Sequence, residues 1–267
     1  MSLPVPTIEV LATSVGAARA ALDGGADRIE LCDSDPQGGT TPSAGTIETV
    51  LELAEPHGVP VHVMVRPRGG GFVYDRHERA AMLRDLRSAV RLGAHGVVVG
   101  VLTGAGDVDS ELLTALVAAA EGRPVTFHRA VDVTRDLERA AATAFTLGCT
   151  RLLTSGGAPT AVAGTRTIAR LVRMADAGLI IVASGGITAQ SVARLVADTD
   201  ITEVHVSART YRTSGASPSP PGMLGVTAGP GPDWPTNGWP APDPQELARI
   251  RAALADPPPP GRTTDPS

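Results

Sequence analysis

The chain has 267 residues, of which 42% are apolar and only 3% aromatic, and it carries a formal net charge of −5. This length is enough for one full-sized core, and α/β barrels routinely use it as a single domain. All 23 basic residues are arginines, which excludes Schiff-base chemistry because that mechanism needs a lysine amine. The mild acidity and the lack of a long basic run argue against nucleic acid or an anionic membrane as the main partner.

The compartment is predicted from what the sequence lacks. No basic region followed by a long apolar stretch opens the chain, and no run approaches the ~20 apolar residues that span a bilayer. The two cysteines, Cys32 and Cys149, form neither a disulfide framework nor a CxxC site. We therefore expect a cytoplasmic protein with no membrane partner.

Short β-branched runs alternate with longer Ala- and Arg-rich stretches along the whole chain. The predicted strands begin at Ile8, Arg28, Val61, Gly96, Val125, Arg151, Leu179 and Glu203. The predicted helices cover residues 14–22, 41–58, 75–92, 110–120, 136–147, 161–177, 188–198 and 244–256. Eight such units predict an α/β fold, a single-domain (β/α)8 TIM barrel. A doubly wound sheet is the alternative, but no GxGxxG motif follows the first strand.

The domain is predicted to span residues 7–255. Residues 213–244, rich in Gly, Pro and Ser, predict a long loop before the last helix. Trp234 and Trp239 lie in it, and we expect them to pin the loop to the barrel. Residues 256–267 are predicted to be a disordered Pro-rich tail.

The inward-facing positions of the predicted strands are unusually polar, where other barrels carry branched apolar residues. A buried charge must be paired, because removing it from water costs several kcal/mol. We expect Glu9 or Glu30 to face Arg66. Either this is a structural ion-pair network, or the network holds Arg66 ready for an anionic ligand. The polar inward set comprises Glu9, Glu30, Cys32, His62, Arg66, Thr126, His128, Thr154, Ser155, Glu203, His205 and Ser207.

Arginines and glycines cluster where several strands end. In "VHVMVRPRGGGF", two arginines flank a proline and three glycines follow, which suits a carboxylate or phosphate, although a plain flexible loop is the alternative. "ASGGIT" and "VSART" end the seventh and eighth strands, the usual phosphate site of barrels. The predicted anion-binding residues are Arg66, Arg68, Arg129, Ser155, Gly185, Gly186, Ser207 and Arg209.

Three residues are candidates for catalysis and one for metal binding. Glu30 or His128 could move a proton, since an imidazole changes charge near neutral pH, and Asp132 follows His128 closely. Cys32, at the top of the second strand, is a candidate metal ligand or reactive thiol. Cys149 precedes the sixth strand at the opposite end, so we expect a structural thiol too distant to share a metal.

Six motifs, in order, resemble the CutC family of copper homeostasis proteins. They are "GGADRIELC", "GGTTPS", "VHVMVRPRGGGF", "GVVVGVLTGAGDVD", "VTFHRAVD" and "RLLTSGGAPTA", and the likeness runs from about Glu9 to Arg212. It implies a barrel fold, cytoplasmic copper handling and Cu(I) binding through cysteines. Cys32 matches the family cysteine of "ELC". The family often has a second cysteine in "EVC", where this chain has Leu11, and its "GGG" after strand seven is "SGG" here.

Two hypotheses of function follow. The first is a CutC-type cytoplasmic protein that takes part in copper homeostasis, with copper bound at Cys32. The alternative is a barrel enzyme, or a binding scaffold without turnover, for a small carboxylated or phosphorylated metabolite. The expected partner is thus a copper ion or a small anion. The flat Ala-rich helices also lead us to expect a homo-oligomer.

Overall fold

The structure is a computed structural model that describes residues 5–175, 178–213 and 238–255. Eight parallel strands pair in chain order, and the first pairs with the last to close a barrel. This confirms the predicted (β/α)8 fold. The strands are β1 Thr7–Ala12, β2 Arg28–Leu31, β3 Val61–Met64, β4 Gly96–Val99, β5 Val125–Phe127, β6 Arg151–Thr154, β7 Ile180–Ser184 and β8 Glu203–Val206.

Helices follow the strands and pack on the outside of the barrel. The longest begins at an Asp75 capping box that Glu78 completes, and it ends at Gly93 in the left-handed conformation. None of the described helices is long and apolar enough to cross a lipid bilayer. The helices are α1 Val15–Asp23, α2 Ala44–Ala54, α3 Arg76–Leu92, α4 Ser110–Ala119, α5 Leu137–Thr146, α6 Thr165–Met174, α7 Val192–Thr199 and α8 Pro244–Ala255.

The prediction of one continuous loop over 213–244 is wrong at its C-terminal end. Strand β9 (Arg209–Thr213) pairs antiparallel with β10 (Gly238–Pro242) in a separate two-stranded ribbon. The sequence of β10, "GWPAP", reads as a loop because proline lacks the N–H of a central strand, but a ribbon edge tolerates it. The rest of the predicted loop, Trp234 and the predicted tail at 256–267 lie outside the described residues.

The apolar core lies between the sheet and the helices, whereas the inside of the barrel is polar. Outward-facing Ile8, Ile29 and Phe127 are fully buried under the helices. Inside, a glycine that begins β4 and another that directly follows it leave room for two imidazoles. A Cβ on Gly96 would lie 2.6 Å from His62 Nε2, and one on Gly100 would lie 2.1 Å from His128 Cε1. These two glycines therefore make it possible for two histidines to enter the barrel.

A network of ion pairs fills the lower barrel interior. Arg28 Nε donates to Glu9 at 2.5 Å, and the same guanidinium pairs with Glu203. Arg151 joins from β6, with its Nε 3.1 Å from Glu203 Oε2. Glu9, Arg28 and Glu203 are all buried. Of the two interpretations of the polar interior, the ion-pair network is thus present, but Arg28 and not Arg66 is its centre.

The Arg28 pairing leads to a stability prediction. Replacing Arg28 with methionine would keep most of its volume and leave Glu9 and Glu203 with less compensation in a buried site. We expect a loss of about 3–5 kcal/mol in the free energy of unfolding, measured by urea denaturation.

The control is Arg194→Met, which removes an exposed pair with Asp198 on α7. It should cost less than about 1 kcal/mol. Equal costs for the two variants would contradict a central role of Arg28.

Candidate functional site

A cavity of about 300 Å³ opens where the barrel strands end. Its lining is contributed by residues at or just after the carboxyl ends of the strands, the usual place of barrel active sites. Four of the predicted site residues, Cys32, Arg68, Asp132 and Ser155, do not line this cavity. The structure brings together the other eight there, namely Glu30, Arg66, His128, Arg129, Gly185, Gly186, Ser207 and Arg209.

His205 connects the ion-pair network to the cavity. Its Nδ1 lies 2.8 Å from Glu9 Oε1, and its Nε2 lies 3.3 Å from Glu30 Oε2. Burial works against a charge on this imidazole, but the two carboxylates outweigh burial and raise the pKa of His205. Burial, helped by the charge of Glu9 and opposed by that of His205, raises the pKa of Glu30 to about 7. A proton can therefore be held between these groups near neutral pH.

The Glu9, Glu30 and His205 side chains offer ligand atoms within 4.8 Å of one another, close enough to hold a metal ion. Both ring nitrogens of His205 already face a carboxylate, and Glu9 also accepts from Arg28. A charged imidazole with an arginine beside it satisfies the same carboxylates that a cation would. We therefore interpret this cluster as part of the ion-pair network.

His128 presents a buried hydrogen-bond donor. Its Nδ1 accepts the backbone N–H of Ala130 at 3.0 Å, so the neutral ring carries its hydrogen on Nε2. Among the described residues, Nε2 has no hydrogen-bond partner. Burial, and then the charge of Arg66, lowers the pKa of His128 to about 3. The ring is therefore neutral at physiological pH and can donate to a ligand, which differs from the charge-changing role that its residue type suggests.

Asp132 is saturated by the protein's own donors. Its carboxylate accepts Arg129 Nε at 2.8 Å, the Thr154 hydroxyl at 2.5 Å and the backbone N–H groups of Ser155 and Gly157 at about 3.0 Å. Ser155 Oγ in turn accepts Arg129 Nη2 at 2.8 Å. Asp132 and Ser155 thus position Arg129, and this geometry does not support the proton transfer predicted for Asp132.

Arg66 is held by backbone carbonyls and not by the predicted carboxylate. Its Nη1 donates to the carbonyls of Gln37 and Gly39 at 2.7 and 3.0 Å, and its Nη2 donates to that of Gly70 at 2.8 Å. The expected pairing with Glu9 or Glu30 is therefore wrong, because Arg28 and His205 already neutralise those carboxylates. Arg66 ties two loops together at the cavity rim.

Arg68 and Arg209 have carboxylate partners of their own. Arg68 Nε lies 2.5 Å from Glu78, at the start of α3 and away from the cavity lining. Arg209 Nη2 lies 2.6 Å from Asp35, which itself lines the cavity. The two arginines therefore offer less charge to an anion than the sequence predicts.

Cys32 lies just behind the cavity lining, buried against Met64, Val98 and Leu11. Burial, and then the nearby charges of Glu30 and Asp35, raises the pKa of its thiol well above the usual range. Met64, whose sulfur also suits soft metals, lines the cavity beside it. No sequence motif assigns Met64 a role, and only the packing shows the pair of sulfur residues.

The second cysteine lies among the apolar core residues. Cys149 precedes β6, at the end of the barrel opposite the cavity, and belongs to the core between sheet and helices. Burial raises the pKa of its thiol to about 12. These features fit the structural thiol that the sequence predicts.

Comparison with known proteins identifies the family. The sequence model of the CutC family matches residues 6–210, which contain all eight barrel strands. The chain belongs to the CutC family. A CutC family protein from Xanthomonas campestris is 48% identical over 202 residues, covering 76% of this chain and 83% of that protein. The human copper homeostasis protein cutC homolog is 44% identical over 208 residues, covering 78% and 75%.

A solved CutC structure has the same barrel. The crystal structure of the copper homeostasis protein CutC from Streptococcus agalactiae superposes with a TM-score of 0.72 at 32% identity. It covers 75% of this chain and 97% of that one. The resemblance drawn from the six motifs is therefore confirmed for both family and fold.

The neutral state of His128 predicts a pH dependence of stability. The unfolded chain takes up a proton on this imidazole near pH 6.5, whereas the folded chain resists until about pH 3. Because the unfolded state binds more protons in that window, wild type loses stability as the pH falls from 6.5 towards 3. Relative to His128→Gln, wild type should lose about 1.4 kcal/mol of its free energy of unfolding for each pH unit.

The measurement is urea unfolding of both proteins between pH 7 and pH 5. His77→Gln, which removes an exposed imidazole on α3, is the control. A stability difference between wild type and His128→Gln that does not change with pH would show that His128 is not kept neutral by the fold.

Proposed function

We propose that this chain takes part in copper homeostasis in the cytoplasm, the process that the name of its human relative gives. One observation carries the proposal: the family match covers the entire barrel together with the cavity at its mouth. The two relatives are 44% and 48% identical over about three quarters of the chain, far above the range in which only a fold is shared. Fold alone would not support this conclusion, since barrels serve many functions.

We propose that Cu(I) binds directly at the sulfur pair of Cys32 and Met64, beside the cavity. Cu(I) is a soft ion that prefers thiolate and thioether ligands, and Cys32 and Met64 provide one of each in contact. Binding must displace the proton of a thiol whose pKa the fold raises, so affinity should increase with pH. The proposed site therefore has suitable ligands for Cu(I), but its affinity for the ion should be weak near neutral pH.

Leu11 explains why the site is weak. It packs on the Cys32–Met64 cluster, at the position where the family often has a second cysteine. A leucine side chain offers no ligand atom there. Restoring a thiol at this position would place two thiolates next to each other without a change to the rest of the barrel.

A Cu(I) titration tests this proposal. With a chromophoric Cu(I) chelator as competitor under anaerobic reducing conditions, wild type should bind one equivalent weakly. Cys32→Ser should abolish that binding and Met64→Leu should weaken it. Leu11→Cys should strengthen it by about 100-fold, because the second thiolate binds an ion that is already held.

Cys149→Ser is the matched control, since it removes a buried thiol at the other end of the barrel. It should bind like wild type. Equal binding by wild type and Cys32→Ser would reject direct binding at the sulfur pair. A Leu11→Cys variant that gains nothing would reject the explanation based on position 11.

A further inference from the structure

Three buried polar atoms of the cavity lining lack partners, and none belongs to the sulfur pair. Among the described residues, Glu30 Oε1, Arg66 Nε and His128 Nε2 have no hydrogen bond. The three residues are only 2%, 5% and 4% exposed, and all line the cavity of about 300 Å³. Unpaired polar atoms are rarely left buried in native proteins, so they point to a ligand that completes them. One of these atoms is a carboxyl oxygen, and the other two are N–H donors.

Arg129 supplies a free guanidinium N–H group. Asp132 and Ser155 hold its Nε and Nη2, and its Nη1 has no partner within the described part of the chain. Nη1 lies over Gly185, where a Cβ would be only 3.4 Å away. The absence of a side chain at Gly185 therefore keeps this nitrogen accessible from the cavity, which both residues line.

Most charges of the lining are balanced by ion pairs. Arg209 pairs with Asp35, Arg129 pairs with Asp132, and His205 lies between two carboxylates.

Arg66 is the exception among the described lining residues, because it donates to backbone carbonyls and has no carboxylate partner. The donors left over on the lining cations are Arg66 Nε and Arg129 Nη1. Glu30 and Asp35 line the same cavity and would repel a second negative charge. The single unbalanced cation therefore favours a ligand with a single negative charge.

We propose that this cavity binds a small monocarboxylic acid that carries a hydroxyl group. Arg129 Nη1 and His128 Nε2–H bind the carboxylate, and the hydroxyl pairs with Glu30 Oε1. A hydroxyl group both donates and accepts, so it suits the Glu30 carboxyl in either protonation state. The cavity volume lies at the lower end of the range for ligand sites, which limits the acid to a small metabolite. This site does not depend on copper binding or on the proposed role in copper homeostasis.

The probes are sodium lactate and sodium 3-hydroxybutyrate in a thermal-unfolding assay at constant ionic strength. Each has a matched compound that lacks one feature: propionate and butyrate lack the hydroxyl, and lactamide lacks the charge. At least one hydroxy acid should raise Tm by a few degrees, more than its hydroxyl-free partner does. Lactamide should have no effect, and inorganic phosphate should have less effect than the hydroxy acid.

Two arginine variants locate the binding site. Arg129→Gln should weaken binding of the hydroxy acid at least tenfold in calorimetric titration. Arg135→Gln removes the same charge from a nearby residue that pairs with Asp107 and does not line the cavity. It should bind like wild type. His128→Leu should also weaken binding, and His128→Gln, which restores an N–H donor, should recover part of it.

Several results would overturn the proposal. They are the absence of a shift with either hydroxy acid, an equal shift with propionate and lactate, a larger shift with phosphate, and equal losses in Arg129→Gln and Arg135→Gln. The comparison of probes uses wild-type protein, so it stands even where a variant fails to fold. The Cu(I) titration has its own readout, so failure at one site leaves the other unaffected.

Discussion

The interior of this barrel depends on one buried guanidinium. Arg28 lies between Glu9 and Glu203, and without it two carboxylates would share a space that water does not reach. Because Arg28 holds Glu9 in place, Glu9 can hold one nitrogen of His205, and the other nitrogen then reaches Glu30 at the cavity. The charges thus form a chain from the closed end of the barrel to its mouth. The orientation of the cavity floor is set by electrostatics and not by apolar packing.

On the side of the cavity near β5 and β6, a second buried group, the Asp132 carboxylate, organises the structure. Asp132 receives donors from the loop after β6 and from Arg129, and its role is to fix where that arginine points. His128 is fixed in a similar way by the Ala130 N–H and by the space that Gly100 leaves. Polar side chains whose donors and acceptors are all hydrogen-bonded within the protein are therefore structural. Those that keep an unpaired donor or acceptor are available to a ligand. This distinction separates Asp132 from His128, although both are polar and lie only four positions apart in the sequence.

The sequence was sufficient for the fold because periodicity and turn residues report on local structure. All eight strand starts agree with the structure to within one residue, and those at Ile8 and Leu179 are the two that differ by one. The parity of side chains also placed Glu30, His128 and His205 inside the barrel correctly. Pairing could not be predicted, because it depends on contacts between distant strands: Arg66 was assigned to a carboxylate that Arg28 and His205 occupy. Strand β10 could not be predicted, because its prolines are typical of a loop. The contact between Cys32 and Met64 could not be predicted either, because it depends on the register of two strands, which no motif reveals.

Two chemically different groups of side chains lie at or next to the cavity, and this difference bears on function. The sulfur residues come from the end of β2 and from β3, whereas His128 and Arg129 follow β5. Copper(I) needs two or three soft ligands and gains nothing from an arginine or an imidazole N–H that faces the cavity. A buried polar atom without a partner costs about 1–3 kcal/mol. A barrel that served copper alone would have no reason to keep Glu30 Oε1 and His128 Nε2 in that state. The unpaired atoms are therefore the physical ground for a ligand other than copper, and the leucine at position 11, which bears only on the proposed copper site, leaves that argument intact.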